Sequence, residues 1–168
     1  MAAEAPTARR RCTEAIPTVG PTLSNVTLCQ NVIASIDRWS ILSPMELKVI
    51  LKEVLAMHNK WISSEGREGT RLSLRNAVLQ EADLHDANLQ DAELEGANFS
   101  VADLMRANLR RANLRNADFW MADLKDAILQ GADLQGANLT AATNLTQQQI
   151  DSAITNSSTV LPSGLRHN

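Results

Sequence analysis

Alanine recurs at every fifth position from Ala77 to Ala137 without a gap, thirteen times in one register. Two positions after each stands a large apolar residue: Leu79, Leu84, Leu89, Leu94, Phe99, Leu104, Leu109, Leu114, Phe119, Leu124, Leu129, Leu134 and Leu139, with Leu74 opening the series. The position between is mostly Asp or Asn, as in Ala82-Asp83-Leu84 and Ala107-Asn108-Leu109. A five-residue period fits neither the 3.6-residue turn of a helix nor the two-residue alternation of a strand. A repeat of this kind therefore decides the fold before any helix or strand is assigned. If each pentad is one short side of a coil, the Ala and the Leu point inward together and the other three residues face out. Each buried Leu contributes about 1.5–3 kcal/mol, so the series makes a core although the chain has only two Phe. Asp and Asn suit the corners, because their short side chains bond nearby backbone.

The pattern of Ala, then Asp or Asn, then Leu over residues 77–139 resembles the pentapeptide-repeat family. That resemblance implies an all-β solenoid, a right-handed quadrilateral β-helix with four pentads to the coil, flanked here by α-helices. On that period the repeats give about three and a half coils, rising roughly 17 Å at the spacing of neighbouring strands. Phe99 and Phe119 stand twenty positions apart, and the four-pentad coil stacks them on one face.

Both ends of such a coil need covering, because they expose unpaired backbone and apolar interior. Downstream, the register breaks at Thr143-Asn144-Leu145, and Thr146 with Gln149 forms a capping box for a short helix that puts Ile150 and Ile154 on one side. The stretch ending Thr159-Val160-Leu161-Pro162 resembles the tail after the last coil in bacterial members of the family. Upstream, Ser43-Pro44-Met45-Glu46 reads as a helix start, followed by Leu47, Ile50, Leu51, Val54, Leu55, His58 and Trp61 on one face. The run from Leu55 through His58, Trp61, Gly66, Gly69 and Arg71 resembles the helix and glycine turn before the family's first coil. A second helix is expected over about 23–37, with Val26, Cys29, Val32, Ile33 and Ile36 at helical spacing. It either pairs as a hairpin against the solenoid or presents its apolar face to a second copy or another protein. The expected organisation is a disordered tail at 1–21, a helical segment at 22–65, the repeat solenoid at 66–142, and a cap and tail at 143–168.

Charge and composition narrow the function. The net charge of -3 argues against a general polyanion binder, since nonspecific nucleic-acid affinity comes from many Lys and Arg on phosphates. Arg9, Arg10 and Arg11 are flanked by Glu4 and Glu14 and do not continue as a transit peptide. No apolar run approaches the roughly 20 residues of a membrane span, and the expected location is the cytoplasm. Cys12 and Cys29 have no metal-ligand spacing, and His58, His85 and His167 have no catalytic companions. Neither a metal, a cofactor nor an enzymatic activity is expected.

Outward residues then carry whatever the protein does. On the face of Phe99 and Phe119, Val101, Trp120 and Met121 form an apolar cluster with Met105 nearby, which is either an interaction site or the seat of a terminal helix folded back on it. Arg106, Arg110, Arg111 and Arg115 make a basic band; the expected partners of Arg106, Arg111 and Arg115 are Asp86, Asp91 and Glu95, one coil earlier. The expected function is a non-enzymatic interaction or scaffold module for a protein partner, another protein or a second copy. The alternative is a DNA-mimicking modulator of a type II topoisomerase, a role known in the family. The short rod and the Arg band argue against it.

Overall fold

The computed structural model describes residues 44–167. The expected helix over 23–37, the tail before it, and Ser43 lie outside the described residues. Helix α1, Pro44–Ser63, is followed by the repeats and then by a short helix α2, Gln147–Ser152. The twenty-residue coil is visible in the backbone pairing. Ser73 bridges Glu93, then Asn113, then Asp133; Val78 bridges Asn98, Asp118 and Asn138; Asp83 bridges Asp103, Asp123 and Thr143; Asn88 bridges Asn108 and Ile128, all in parallel. These four ladders are the four faces, here called the Ser73, Trp120, Asp83 and Asn88 faces in chain order.

The sides are single bridges and not extended strands. Every fifth residue, at the second corner position, is left-handed, so the chain turns before a second ladder pair can form. The inter-coil bonds are nonetheless regular, as in Leu79 N–H to Asn98 O at 2.8 Å and Asn98 N–H to Ala77 O at 2.9 Å. The Asp and Asn side chains brace the corners as the pattern implies. Asn98 Oδ1 accepts from Ser100 N–H at 2.8 Å and Asp118 Oδ1 from Trp120 N–H at 3.0 Å. Inside, the Leu and Ala series is buried except for a partly exposed Ala87, and Phe99 stacks on Phe119 with centroids 5.1 Å apart.

Helix α1 lays Leu51 and Val54 over the open first coil. At the other end the ladder continues past the register break. Ile154 pairs with Asp133 and Val160 with Asn138, offsets one and two residues longer than the regular twenty. The extra length accommodates α2, whose capping box of Thr146 and Gln149 is formed. Gln149 Nε2 also donates to the Leu124 and Ala127 carbonyls, both at 2.9 Å, and so satisfies backbone that no further coil will pair. Ile150 is buried beneath this cap, but Ile154 does not share its side. The helix ends at Ser152, and Ile154 is an exposed ladder residue.

Candidate interaction surface

The faces differ sharply in what they show to solvent. Five of the nine large apolar side chains exposed among the described residues stand on the Trp120 face: Val78, Val101, Trp120, Met121 and Val160. Val101, Trp120 and Met121 are 42%, 45% and 48% exposed, at one corner of successive coils, with Val101 N–H bonded to Trp120 O at 2.8 Å. The same pentads carry two charged residues, Glu81 and Asp118. Asp118 is occupied by Trp120 N–H, by Asn138 Nδ2 at 2.8 Å and by the Ser100 hydroxyl at 3.3 Å, which leaves Glu81 as the free-standing charge of the face.

Val101 has φ +61°. A β-branched residue in the left-handed region is an outlier, because its Cβ crowds the following carbonyl at a cost of about 1–2 kcal/mol. The other coils place Glu81, Met121 and Ala141 at that corner, whereas the other three faces mostly place Asn, Asp or Gly at theirs, residues that tolerate the conformation.

Met105 is not brought into this cluster. It is half-buried at the far corner of the Asp83 face, one full side away from Val101. Val78 and Val160, which the cluster expected from the sequence does not include, stand on the same face. The twenty-residue rule alone points to Val78, whereas Val160 reaches the face only through the longer offset around α2.

The basic band is largely neutralised. Arg106 grips Asp86 through two bonds at 2.7 and 2.8 Å, and Arg111 grips Asp91 through two at 2.7 Å. These guanidinium bonds hold the Asp86 and Asp91 carboxyls below the usual carboxylate range. The expected Arg115–Glu95 pair does not form. Glu95 is taken by Arg75, one coil before it, and Arg115 turns the other way to Gln135 and, at 3.6 Å, to Asp133. Arg110 alone of the four has no carboxylate partner among the described residues.

His58 is fully buried at the junction of α1 and the coil. Its Nδ1 accepts from Leu72 N–H at 3.1 Å, so Nε2 carries the proton and donates to Gln90 O at 2.9 Å. It supplies to the first coil what an earlier coil would have supplied. Burial lowers its pKa, and Trp61 stacks on the ring at 5.8 Å. Among the described residues no group of three His, Cys, Asp or Glu is placed to hold a metal ion. No described helix is long and apolar enough to cross a membrane.

The family model for pentapeptide repeats matches residues 70–100 and 102–140 in eight copies. The chain belongs to the pentapeptide-repeat family. Members of this family form right-handed β-helices, which gives the ladders their hand. Similar solved structures of pentapeptide-repeat proteins include HetL, involved in heterocyst differentiation regulation in the cyanobacterium Nostoc, at 34% identity over 60% of this chain and 44% of HetL, TM-score 0.49. A protein of the Arabidopsis thaliana thylakoid lumen is 26% identical over 56% of this chain and 61% of its own, TM-score 0.43. The Nostoc protein alr5209 is 30% identical over 66% of this chain and 86% of its own, TM-score 0.36. The matched part thus spans 44% and 61% of the first two relatives. No curated protein matches the chain.

Proposed function

We propose that this pentapeptide-repeat protein is a non-enzymatic, cytoplasmic interaction module that binds a protein partner through the Trp120 face and its N-terminal helical segment. The observation that carries this reading is the gathering of Val78, Val101, Trp120, Met121 and Val160 on one nearly uncharged face of an otherwise charged solenoid. Exposed apolar surface of this kind is disfavoured in water unless something covers it, and an aromatic with a flexible Met beside it is the composition of a binding centre. The strained Val101 supports the reading further, since strain in a fold is retained where another requirement holds it.

A DNA-like role would need a continuous negative surface. Against it stand the paired Arg106 and Arg111, which cancel Asp86 and Asp91, and the apolar face itself.

The test is affinity capture from the native cell with the wild-type chain, with Val101→Asp/Trp120→Ala/Met121→Asp, and with Arg110→Ala on the opposite side. A stoichiometric partner held by wild type and Arg110→Ala but lost by the triple variant is the expected result. Retention by a triple variant that still folds would remove the Trp120 face from the interaction.

A further inference from the structure

The Trp120 face is a ladder of five rungs, Val78, Asn98, Asp118, Asn138 and Val160, about 19 Å tall at the spacing of paired strands. Its corner residues follow in step: Glu81 on the first rung, Val101 on the second, Trp120 and Met121 on the third, Thr140 and Ala141 on the fourth. The largest exposed pair thus sits on the middle rung, and the strip is unlike on its two sides. On one side stands the strained, exposed Val101. On the other, Thr140 and Ala141 open a groove of about 590 Å³ lined also by Leu161 and Leu165. The ends differ in charge. The first rung carries the free-standing Glu81, whereas the chain beyond the fifth runs to Arg166, which is exposed and has no carboxylate partner among the described residues.

A knob, a bulky centre and a groove in that order are what a surface needs to fit itself when turned end over end. A two-fold axis crossing the middle rung, at right angles to the solenoid, runs two copies antiparallel. It sets the first rung against the fifth, the second against the fourth and the third against itself. Val78 then meets Val160, Val101 meets Thr140 and Ala141 at the mouth of the groove, and Trp120 and Met121 meet their own copies. Glu81 is brought to the end that carries Arg166, so charge is complementary as well as shape. A face made for an unrelated protein has no need to match itself in this way.

We propose that the occupant of the Trp120 face is a second copy of this chain, docked antiparallel about that axis, an inference that rests on the Trp120 face being the interaction face. The contact takes Val78, Val101, Trp120, Met121 and Val160 of both copies out of water at once. One group opposes it. Asp118 also lies on the axis and faces its own copy. Its carboxylate is tied to Trp120 N–H, Asn138 Nδ2 and the Ser100 hydroxyl, which softens the like-charge repulsion without removing it. Asp118→Asn therefore tightens the dimer. In the cell capture the stoichiometric partner is then the untagged chain itself.

Sedimentation of the full chain over a concentration series reads the association. Wild type and Arg110→Ala form a dimer, and Val101→Asp/Trp120→Ala/Met121→Asp, folded by circular dichroism, stays monomeric where wild type is dimeric. The axis is read by cross-linking in a Cys12→Ser/Cys29→Ser background, where Met121→Cys meets itself and Gln130→Cys, on the opposite face, does not. Under copper–phenanthroline oxidation Met121→Cys forms the disulfide-linked dimer on the order of tenfold faster than Gln130→Cys. A wild type that stays monomeric, a dimer that survives in the triple variant, or Met121→Cys no faster than the control overturns the proposal. If it is overturned while partner capture still depends on Val101, Trp120 and Met121, the second copy is wrong and the interaction face stands. If the captured partner also survives the triple variant, the face falls with it.

Discussion

The junction around His58 and the corner around Trp120 are opposites within one fold. At the junction the polar groups of the seam are paired: His58 serves Leu72 N–H and Gln90 O, Thr70 N–H reaches Met57 O at 3.2 Å, and Gly69 leaves no room for a side chain. At the corner, Val101, Trp120 and Met121 are nearly half exposed, with Val101 and Met121 in left-handed positions that Asn or Gly enters more readily. The junction is explained by folding, and the corner is not. That contrast separates residues whose loss should unfold the chain from residues whose loss should leave it folded and mute.

The contrast is broken most directly at Gly69. A Cβ there would stand 2.3 Å from the Met57 carbonyl oxygen and 2.7 Å from Trp61 N, at φ +79°. Gly69→Ala should destabilise by about 3 kcal/mol or more in urea unfolding, because the obstacles are backbone. His58→Ala should follow at about 2–3 kcal/mol, leaving a buried N–H and a buried carbonyl unpaired.

The same histidine gives the junction a pH signature. Burial lowers its folded pKa below the ordinary value of about 6.5, so the unfolded chain takes up a proton that the folded chain resists. Its contribution to stability is fully present above about pH 6.5 and is lost as pH falls through the folded value, by up to about 1.4 kcal/mol per pH unit. His58→Gln should flatten this decline in melts recorded across that window. The Asp86 and Asp91 carboxyls, also lowered, lose their contribution only at more acidic pH, as they protonate away from Arg106 and Arg111.

At the corner the sign reverses. Val101→Asn should raise stability by up to about 1 kcal/mol, since Asn enters the left-handed region readily. The smallest effect belongs to Arg106→Ala, whose exposed pair with Asp86 should shift the melting midpoint slightly at low salt and not at high salt.

Most of the solenoid was legible because a strict pentad buries Ala and Leu together along one side of a coil, and the resemblance to the pentapeptide-repeat family implies four such sides to the turn. The Phe99–Phe119 stack and the Arg106–Asp86 and Arg111–Asp91 pairs follow from the twenty-residue coil. What escaped the sequence was competition and insertion. Glu95 has Arg75 on one side and Arg115 on the other, and local geometry decides between them. Val160 joins the Trp120 face, and Ile154 leaves the side of Ile150, because α2 lengthens the last offsets by amounts that no repeat specifies. The bonds of His58 depend on how α1 crosses the open coil, which helical periodicity alone does not fix.

The central claim is that the Trp120 corner is kept for binding at some cost to folding, and Val101→Asn tests it with one quantity, the affinity for the captured partner. Because this variant should fold at least as stably as wild type, a loss of binding on the order of tenfold would come from the surface itself. Wild-type affinity in the variant would contradict the account and leave the exposed valine without a role.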